Sequence, residues 1–301
     1  MRKILITGHR GLLGSACVRY FSDKAEVLTT EIDLLDEQRV RGFFMLHRPE
    51  QVIHCAAKVG GVKANRDFPV DFMRINLRLQ SNVIDAAADF DVEKLVFIGT
   101  SCLFPRDAIV PVCEESLMTG RMDPSVEAYS LAKLAGWRLC KAYHEQHGKQ
   151  FFTVCPSNIY GPNDNYSKSA HVIPALIHRM SKAMPVGTLK VWGDGTAVRE
   201  FIHADDAASA IAAVLERQIS ASVLNVGTGI GTTIAELVAT LRIVSCFEGE
   251  IDWDTSQPTG IPRKTFDVSK LKSLGWEPQI GLAEGLSQTW ADYHENLKLR
   301  R

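Results

Sequence analysis

Three groups of side chains have types and spacings that chemistry could use. The first is GTSCLFP at residues 99–105, which follows the apolar run Leu95, Val96, Phe97, Ile98 and sets Thr100, Ser101 and Cys102 side by side where a buried strand should end. A thiol there is either packing, since free cysteine is among the most buried residue types, or a proton carrier with a reference pKa of about 8.5. The second is YSLAK, with Tyr129 and Lys133 four residues apart. On a helix these positions share a face, so the ammonium would lower the phenol's pKa and make it a proton donor and acceptor to a carbonyl oxygen. An exposed helix pair is the ordinary reading of Y-x-x-x-K alone. The third is ITGHRGLLGSA, where Gly8, Gly11 and Gly14 are spaced G-x-x-G-x-x-G. Glycines there allow a tight turn, close backbone approach to a pyrophosphate and close helix packing.

These groups need a scaffold, and the hydrophobic pattern supplies one. Short apolar runs at residues 4–6, 26–28, 51–53, 95–98 and 151–154 alternate with helical stretches such as 70–89 and 129–147. Such alternation means β-α-β units and a parallel sheet covered on both faces, an α/β fold of the Rossmann type. The glycine loop then lies between the first strand and a helix, the context a dinucleotide fingerprint requires. After Pro156 the rhythm loosens into the loop NIYGPNDNYSKSAHVIP, and helical patterns return at 172–184, 205–217, 233–244 and 282–299 around a second irregular segment, 253–264.

Composition removes several function classes. With 301 residues, 46% hydrophobic and 23% charged, the chain is an ordinary globular protein, and its formal charge of −1 argues against a nucleic-acid partner. Seven scattered cysteines without a C-x-x-C pair indicate neither a disulfide framework nor a zinc site. HEQH at 144–147 reads as a solvated helix face, and no metal is expected. Nothing resembles an export signal or the roughly 18 consecutive apolar residues of a membrane span. The expectation is a cytoplasmic protein with no membrane partner.

The glycine loop also bears on which nicotinamide cofactor is held. After the second strand, VLTTEID places no acid directly where one would hold the ribose 2′-OH of NAD. Arg10 is suited to a 2′-phosphate, which favours NADP(H), while Glu31 is close enough to keep NAD open. A solvated loop charge is the plain reading of Arg10. Asp36 either accepts from an adenine amino group or caps a helix.

Glycine loop, Y-x-x-x-K and strand-end hydroxyl together resemble the extended short-chain dehydrogenase/reductase family of nucleotide-sugar enzymes. The resemblance runs nearly end to end through GHRGLLGSA, HCAAKVGGVKAN, SCLFP, YSLAK, NIYGPNDNY, SAHVIPALIHR, WGDGTAVREFIHADD, NVGTG and PRKTFDVSKLKSLGW. AAKVGG, SCLFP and HVIPAL are its most specific fragments. It implies reductase roles for Thr100, with Ser101 the neighbouring possibility, and for Tyr129 and Lys133, and an epimerisation pair at Cys102 and His171. It implies cofactor contacts at Gly8, Arg10, Gly11, Gly14, Asp36, Ala56, Lys133 and His171, and substrate contacts at Asn158, Arg179, Trp192, Arg199 and Lys264.

The implied substrate is a GDP-4-keto-6-deoxy sugar. Its 4-ketone acidifies the hydrogens on C3 and C5, so inverting those centres needs one group to remove a proton and another to return it on the opposite face. A thiol and an imidazole, with reference pKa values of about 8.5 and 6.5, suit that exchange. The implied outcome is C3/C5 epimerisation and NADPH-dependent C4 reduction, giving GDP-L-fucose from GDP-4-keto-6-deoxy-D-mannose. Sister reactions on colitose or heptose precursors and reduction without epimerisation use the same residues. A cofactor-binding regulator with a dead site is the rival from another class, and the intact catalytic set counts against it. Residues 1–160, with 203–227 returning to them, are expected to bind NADP, and 161–202 with 228–301 the sugar nucleotide. A homodimer through the Y-x-x-x-K helix and the helix before it is also implied, and the apolar periodicity from Val70 to Ala88 permits it. Departures from the family pattern fall at Thr29, Ala170, Gln257 and Thr259.

Overall fold

The computed structural model describes residues 1–167, 170–217, 222–257 and 260–299; Thr259 lies outside the described residues. Its first half runs β1 (Lys3–Thr7), α1 (Leu12–Phe21), β2 (Glu26–Leu28), α2 (Glu37–His47), β3 (Gln51–His54), α3 (Val62–Asp67), α4 (Pro69–Asp89), β4 (Lys94–Ile98), α5 (Glu127–His147) and β5 (Gln150–Pro156). The second half runs β6 (Asn158–Tyr160), α6 (Val172–Ala183), β7 (Thr188–Trp192), β8 (Val198–His203), α7 (Ala204–Glu216), β9 (Val223–Val226), β10 (Gly231–Thr233), α8 (Ile234–Ser245), β11 (Glu250–Asp254), β12 (Arg263–Lys264), α9 (Ser269–Ser273) and α10 (Leu282–Leu299).

Six of these strands form one wholly parallel sheet in the order β2-β1-β3-β4-β5-β9. Alternate strand residues serve opposite layers, which is why each strand reads as an unbroken apolar run. Ile4, Ile6, Val96, Ile98, Phe152 and Val154 pack with the α1 and α7 face, whereas Leu5, Leu95, Phe97 and Phe151 pack with residues of α2, α4 and α5. Helix limits follow local chemistry. Asp36 caps α2 by accepting from the Arg39 amide, and α5 ends at Gly148, whose φ of 67° is easy only for glycine.

The remaining strands build a smaller unit. β8 pairs with β10, β12 and β6, and β7 pairs with β11. α6, α8 and α10 close over them around Ile173, Leu176, Leu237, Leu241, Leu286 and Tyr293. The chain changes sheets sharply: β6 ladders with β8 from Asn158 onward, and Asn158 Nδ2 also donates to the Glu200 carbonyl at 2.7 Å. β9 then rejoins the large sheet beside β5. Strand order reverses between β1 and β3, and the crevice at the carboxyl ends of such strands is where doubly wound sheets bind ligands. Among the described residues no helix is long and apolar enough to cross a membrane.

Candidate active site

β1 delivers the chain into Gly8 at a φ of 69°, where a Cβ would come within 2.7 Å of the Ala56 amide nitrogen. A Cβ on Gly14 would come within 2.1 Å of the Gly8 carbonyl. The loop therefore packs backbone against backbone, with no room for a side chain at Gly8 or Gly14. α1 begins behind Gly11 with no side-chain cap and no acid in its first turn. Its amides and positive helix end suit a pyrophosphate, so the residues present fit a dinucleotide. Ala56 is fixed beside them: its amide donates to Thr7 Oγ1 at 3.3 Å, and that hydroxyl meets His54 Nδ1 at 2.8 Å. Burial, aided by the nearby Lys133 charge, drops His54 to about 3, so the ring stays neutral. Sequence reasoning missed this Thr7–His54 clamp.

Against the glycine loop, Glu31 Oε1 lies 2.8 Å from Arg10 Nη2 and 3.0 Å from His9 Nε2. Thr29 is exposed. Asp36 is engaged as the cap of α2 and pairs with Arg39 at 3.2 Å.

The loop after β4 holds the reactive side chains. Thr100 caps the single turn Ser101–Leu103, accepting from the Cys102 amide at 3.3 Å. From α5, Tyr129 brings its phenol close to the Thr100 hydroxyl and the Cys102 thiol. Burial and that thiol push the phenol above its ordinary pKa, with the nearby Thr100 hydroxyl acting the other way. This corrects the expectation that Lys133 would lower it. Lys133 is itself 2% exposed, with Nζ 4.0 Å from the Phe97 ring centroid, and burial pulls its pKa down to about 7. The groups that act on the phenol are its surroundings, Cys102 and Thr100, with Lys133 not among them. Thr100, Cys102 and Tyr129 are thus brought together, with Lys133 buried one turn further along α5.

Substrate candidates come from the smaller unit. Ser101, Ser157, Asn158, Glu200 and Lys264 line one small cavity, so the strand-four loop meets β6, β8 and β12 there. Lys264 is the register partner of Arg199 across β8 and β12, which sets two cations side by side. Glu200, missed in the sequence, is 1% exposed and ties this corner together by accepting from the amides of Gly229 (2.9 Å) and Phe266 (2.6 Å). Arg179 Nη1 donates to the Lys190 carbonyl of β7 at 2.7 Å, and exposed Trp192 ends the same strand. His171 stands just before α6, reachable by solvent, with a pKa lowered by the protein walls around it. Among the described residues His171 forms no hydrogen bond with Cys102 or Tyr129.

Comparison with known proteins agrees with this geometry. A profile described as the NAD dependent epimerase/dehydratase family matches residues 4–227. The chain is 44% identical over 303 residues to GDP-L-fucose synthase 1 of Arabidopsis thaliana, covering 98% of this chain and 94% of the relative. It is 42% identical over 312 residues to GDP-L-fucose synthase of Escherichia coli (strain K12), with 98% and 97% covered. A crystal structure of a GDP-L-fucose synthetase from Naegleria fowleri bound to NADP superposes with a TM-score of 0.89 at 28% identity, covering 99% of this chain and 94% of that one.

Proposed function

The chain belongs to the NAD dependent epimerase/dehydratase family, and from that premise we propose that it converts GDP-4-keto-6-deoxy-D-mannose to GDP-L-fucose by C3/C5 epimerisation and C4 reduction with NADPH. The observation that carries this reading is the close grouping of Tyr129, Thr100 and the Cys102 thiol at the carboxyl edge of the sheet that also carries the glycine loop.

Gly8, Gly11 and Gly14 hold the pyrophosphate of the dinucleotide, with Ala56 alongside, and NADPH, when bound, supplies the hydride that reduces C4. Cys102 removes a proton from the carbon next to the ketone, and His171 returns one from the other side. During that exchange Tyr129 and Thr100 face the charge that builds on the C4 oxygen, a role worth about 10²–10³-fold for a single donor. A phenol is protonated at neutral pH, and the raised pKa of Tyr129 keeps it so; it can therefore donate to that oxygen and give up its proton as the ketone becomes an alcohol. Arg199 and Lys264 meet the diphosphate of the sugar nucleotide, where the always-charged guanidinium fork binds phosphate bidentately. Asn158, Arg179 and Trp192 line the rest of its path. On this assignment residues 1–160 and 203–227 serve the cofactor, and 161–202 and 228–301 the sugar nucleotide.

We assign the protein to the cytoplasm and to a homodimer. The dimer is supported by exposed apolar surface at Phe68, Val70 and Met73 near the start of α4 and at Leu131 on α5, each 38–70% exposed. The decisive experiment is proton NMR of the reaction in D₂O with NADPH. Deuterium at C3 and C5 together with a GDP-L-fucose product is expected. Label at C5 alone, or reduction without label, would move the enzyme to a sister substrate or to simple reduction.

A further inference from the structure

The turn Ser101–Leu103 runs on into a stretch that is fastened to two other parts of the chain. Phe104 meets Phe266 edge on, with ring centroids 5.4 Å apart. Leu103, Val112 and Leu117 pack with Val223 of β9 and with Phe266 and Val268 beyond β12. Val112 adds a short ladder: its amide donates to the Thr265 carbonyl at 2.8 Å, and its carbonyl accepts from the Asp267 amide at 2.9 Å. Glu114 holds the polar side of this junction. It is 5% exposed, accepts from the Asn225 amide at 2.9 Å through Oε1, and faces Lys270 Nζ of α9 at 3.2 Å through Oε2. Asn225 Nδ2 donates onward to the Val112 and Asp267 carbonyls at 2.9 and 3.1 Å.

We propose that Glu114 is a positioning residue for the epimerisation step, locking the turn that carries Cys102 to the segment that carries Lys264. The proposal rests on the epimerase-reductase reading given above. Ser101, Lys264 and Phe266 line the same small cavity, so the turn and the segment beyond β12 already meet where a sugar nucleotide would lie. A carboxylate buried as Glu114 is becomes costly when a partner is withdrawn, which holds the junction to one arrangement. The reductive side is mounted elsewhere. Tyr129 and Lys133 belong to α5, the glycine loop lies between β1 and α1, and the Gly99 amide keeps the start of the turn on the sheet by donating to the Val154 carbonyl at 2.8 Å. Loosening the junction therefore moves the thiol relative to the sugar while leaving the groups that reduce C4 in place. Proton removal depends on that placement, since an error of about 1 Å costs on the order of 10²-fold.

The test compares two rates in the wild type, Glu114→Gln and Lys270→Met. One is deuterium wash-in at the carbons flanking the ketone before NADPH is added, and the other is NADPH oxidation with an already epimerised 4-keto sugar. Glu114→Gln keeps the volume and removes the charge, and Lys270→Met alters a half-exposed position, so it keeps the test readable if Glu114→Gln does not fold. We expect Glu114→Gln to slow wash-in by about 10–100-fold and Lys270→Met by about threefold to tenfold, with reduction changed by no more than about threefold in either. Wash-in at the wild-type rate, or reduction that falls as far as wash-in, in the folded variants overturns the role of Glu114 and leaves the proposed reaction standing. Absence of wash-in by the wild type overturns the epimerase reading and the proposal with it.

Discussion

The phenol of Tyr129 lies close to Thr100, whose hydroxyl accepts from the Cys102 amide, so one threonine adjoins the proton donor and caps the turn that carries the thiol. Thr100→Val keeps the shape and deletes the hydroxyl. We expect kcat for C4 reduction to fall about 10²–10³-fold while KM for the sugar nucleotide hardly changes, and Thr100→Ser to recover most of the loss. Steady-state NADPH oxidation measures both constants. A rise in KM with unchanged kcat would place Thr100 in binding instead of chemistry.

Cys102→Ser separates the two half-reactions. A serine hydroxyl is a far weaker base than a thiolate near neutrality, so deuterium wash-in at the carbons flanking the ketone should drop by about 10²–10⁴-fold. Reduction of an already epimerised 4-keto sugar should continue. Wash-in at the wild-type rate would return Cys102 to the status of a packing residue.

The large sheet was legible because each strand is buried on both faces, and so reads as a plain apolar run from Ile4 to Ile6 or from Leu95 to Ile98. Glycine loop and Tyr129–Lys133 spacing were legible for a similar reason: each is local, within one turn or one helix. What escaped depends on partners distant in sequence. Thr7 and His54 are 47 residues apart and meet only because β1 and β3 are neighbours. Glu200 looks like an exposed charge between Arg199 and Phe201, yet its partners Gly229 and Phe266 arrive from elsewhere. The pKa of Lys133 follows from burial over Phe97 of β4, which helix spacing does not reveal.

Lys133 also governs stability against pH. Its folded pKa is lowered to about 7, whereas in the unfolded chain it titrates at about 10.4. Between those values the unfolded state binds more protons, so its contribution makes stability rise with pH. Below about pH 7 both states are charged and the full cost of burying the ammonium, on the order of 4–5 kcal/mol, applies. Lys133→Met should therefore be more stable than the wild type near pH 7, by a margin that closes toward pH 10. Urea unfolding of the cofactor-free proteins across that range tests this, and parallel curves would contradict it.

Gly227 is pinned by the same buried carboxylate that organises the substrate corner. A Cβ there would lie 1.9 Å from Glu200 Oε1, the atom that accepts from Gly229. Gly227→Ala must displace the carboxylate and loosen its two amide bonds, and a loss of about 3 kcal/mol or more is expected in urea unfolding. Glu200→Gln keeps the volume but exchanges one acceptor oxygen for a donor, which should cost about 1.5–3 kcal/mol. Near-wild-type stability of Gly227→Ala would mean that the corner rearranges freely.

Arg199 and Lys264 are register partners on β8 and β12, so their charges stand side by side at one end of the smaller unit. If they meet a diphosphate, the interaction is made equally in ground and transition states, and its loss raises KM without lowering kcat. Lys264→Met should raise KM for the sugar nucleotide about tenfold and flatten the increase of KM with salt, because one screened attraction is gone. Arg199→Met should act in the same direction and more strongly, since a guanidinium binds phosphate with two parallel bonds where an ammonium offers a point charge. The KM effect must also appear with free GDP as a competitive inhibitor, which carries the diphosphate but no sugar. A weakened sugar nucleotide with unweakened GDP would place Lys264 on the hexose and leave the diphosphate to Arg199.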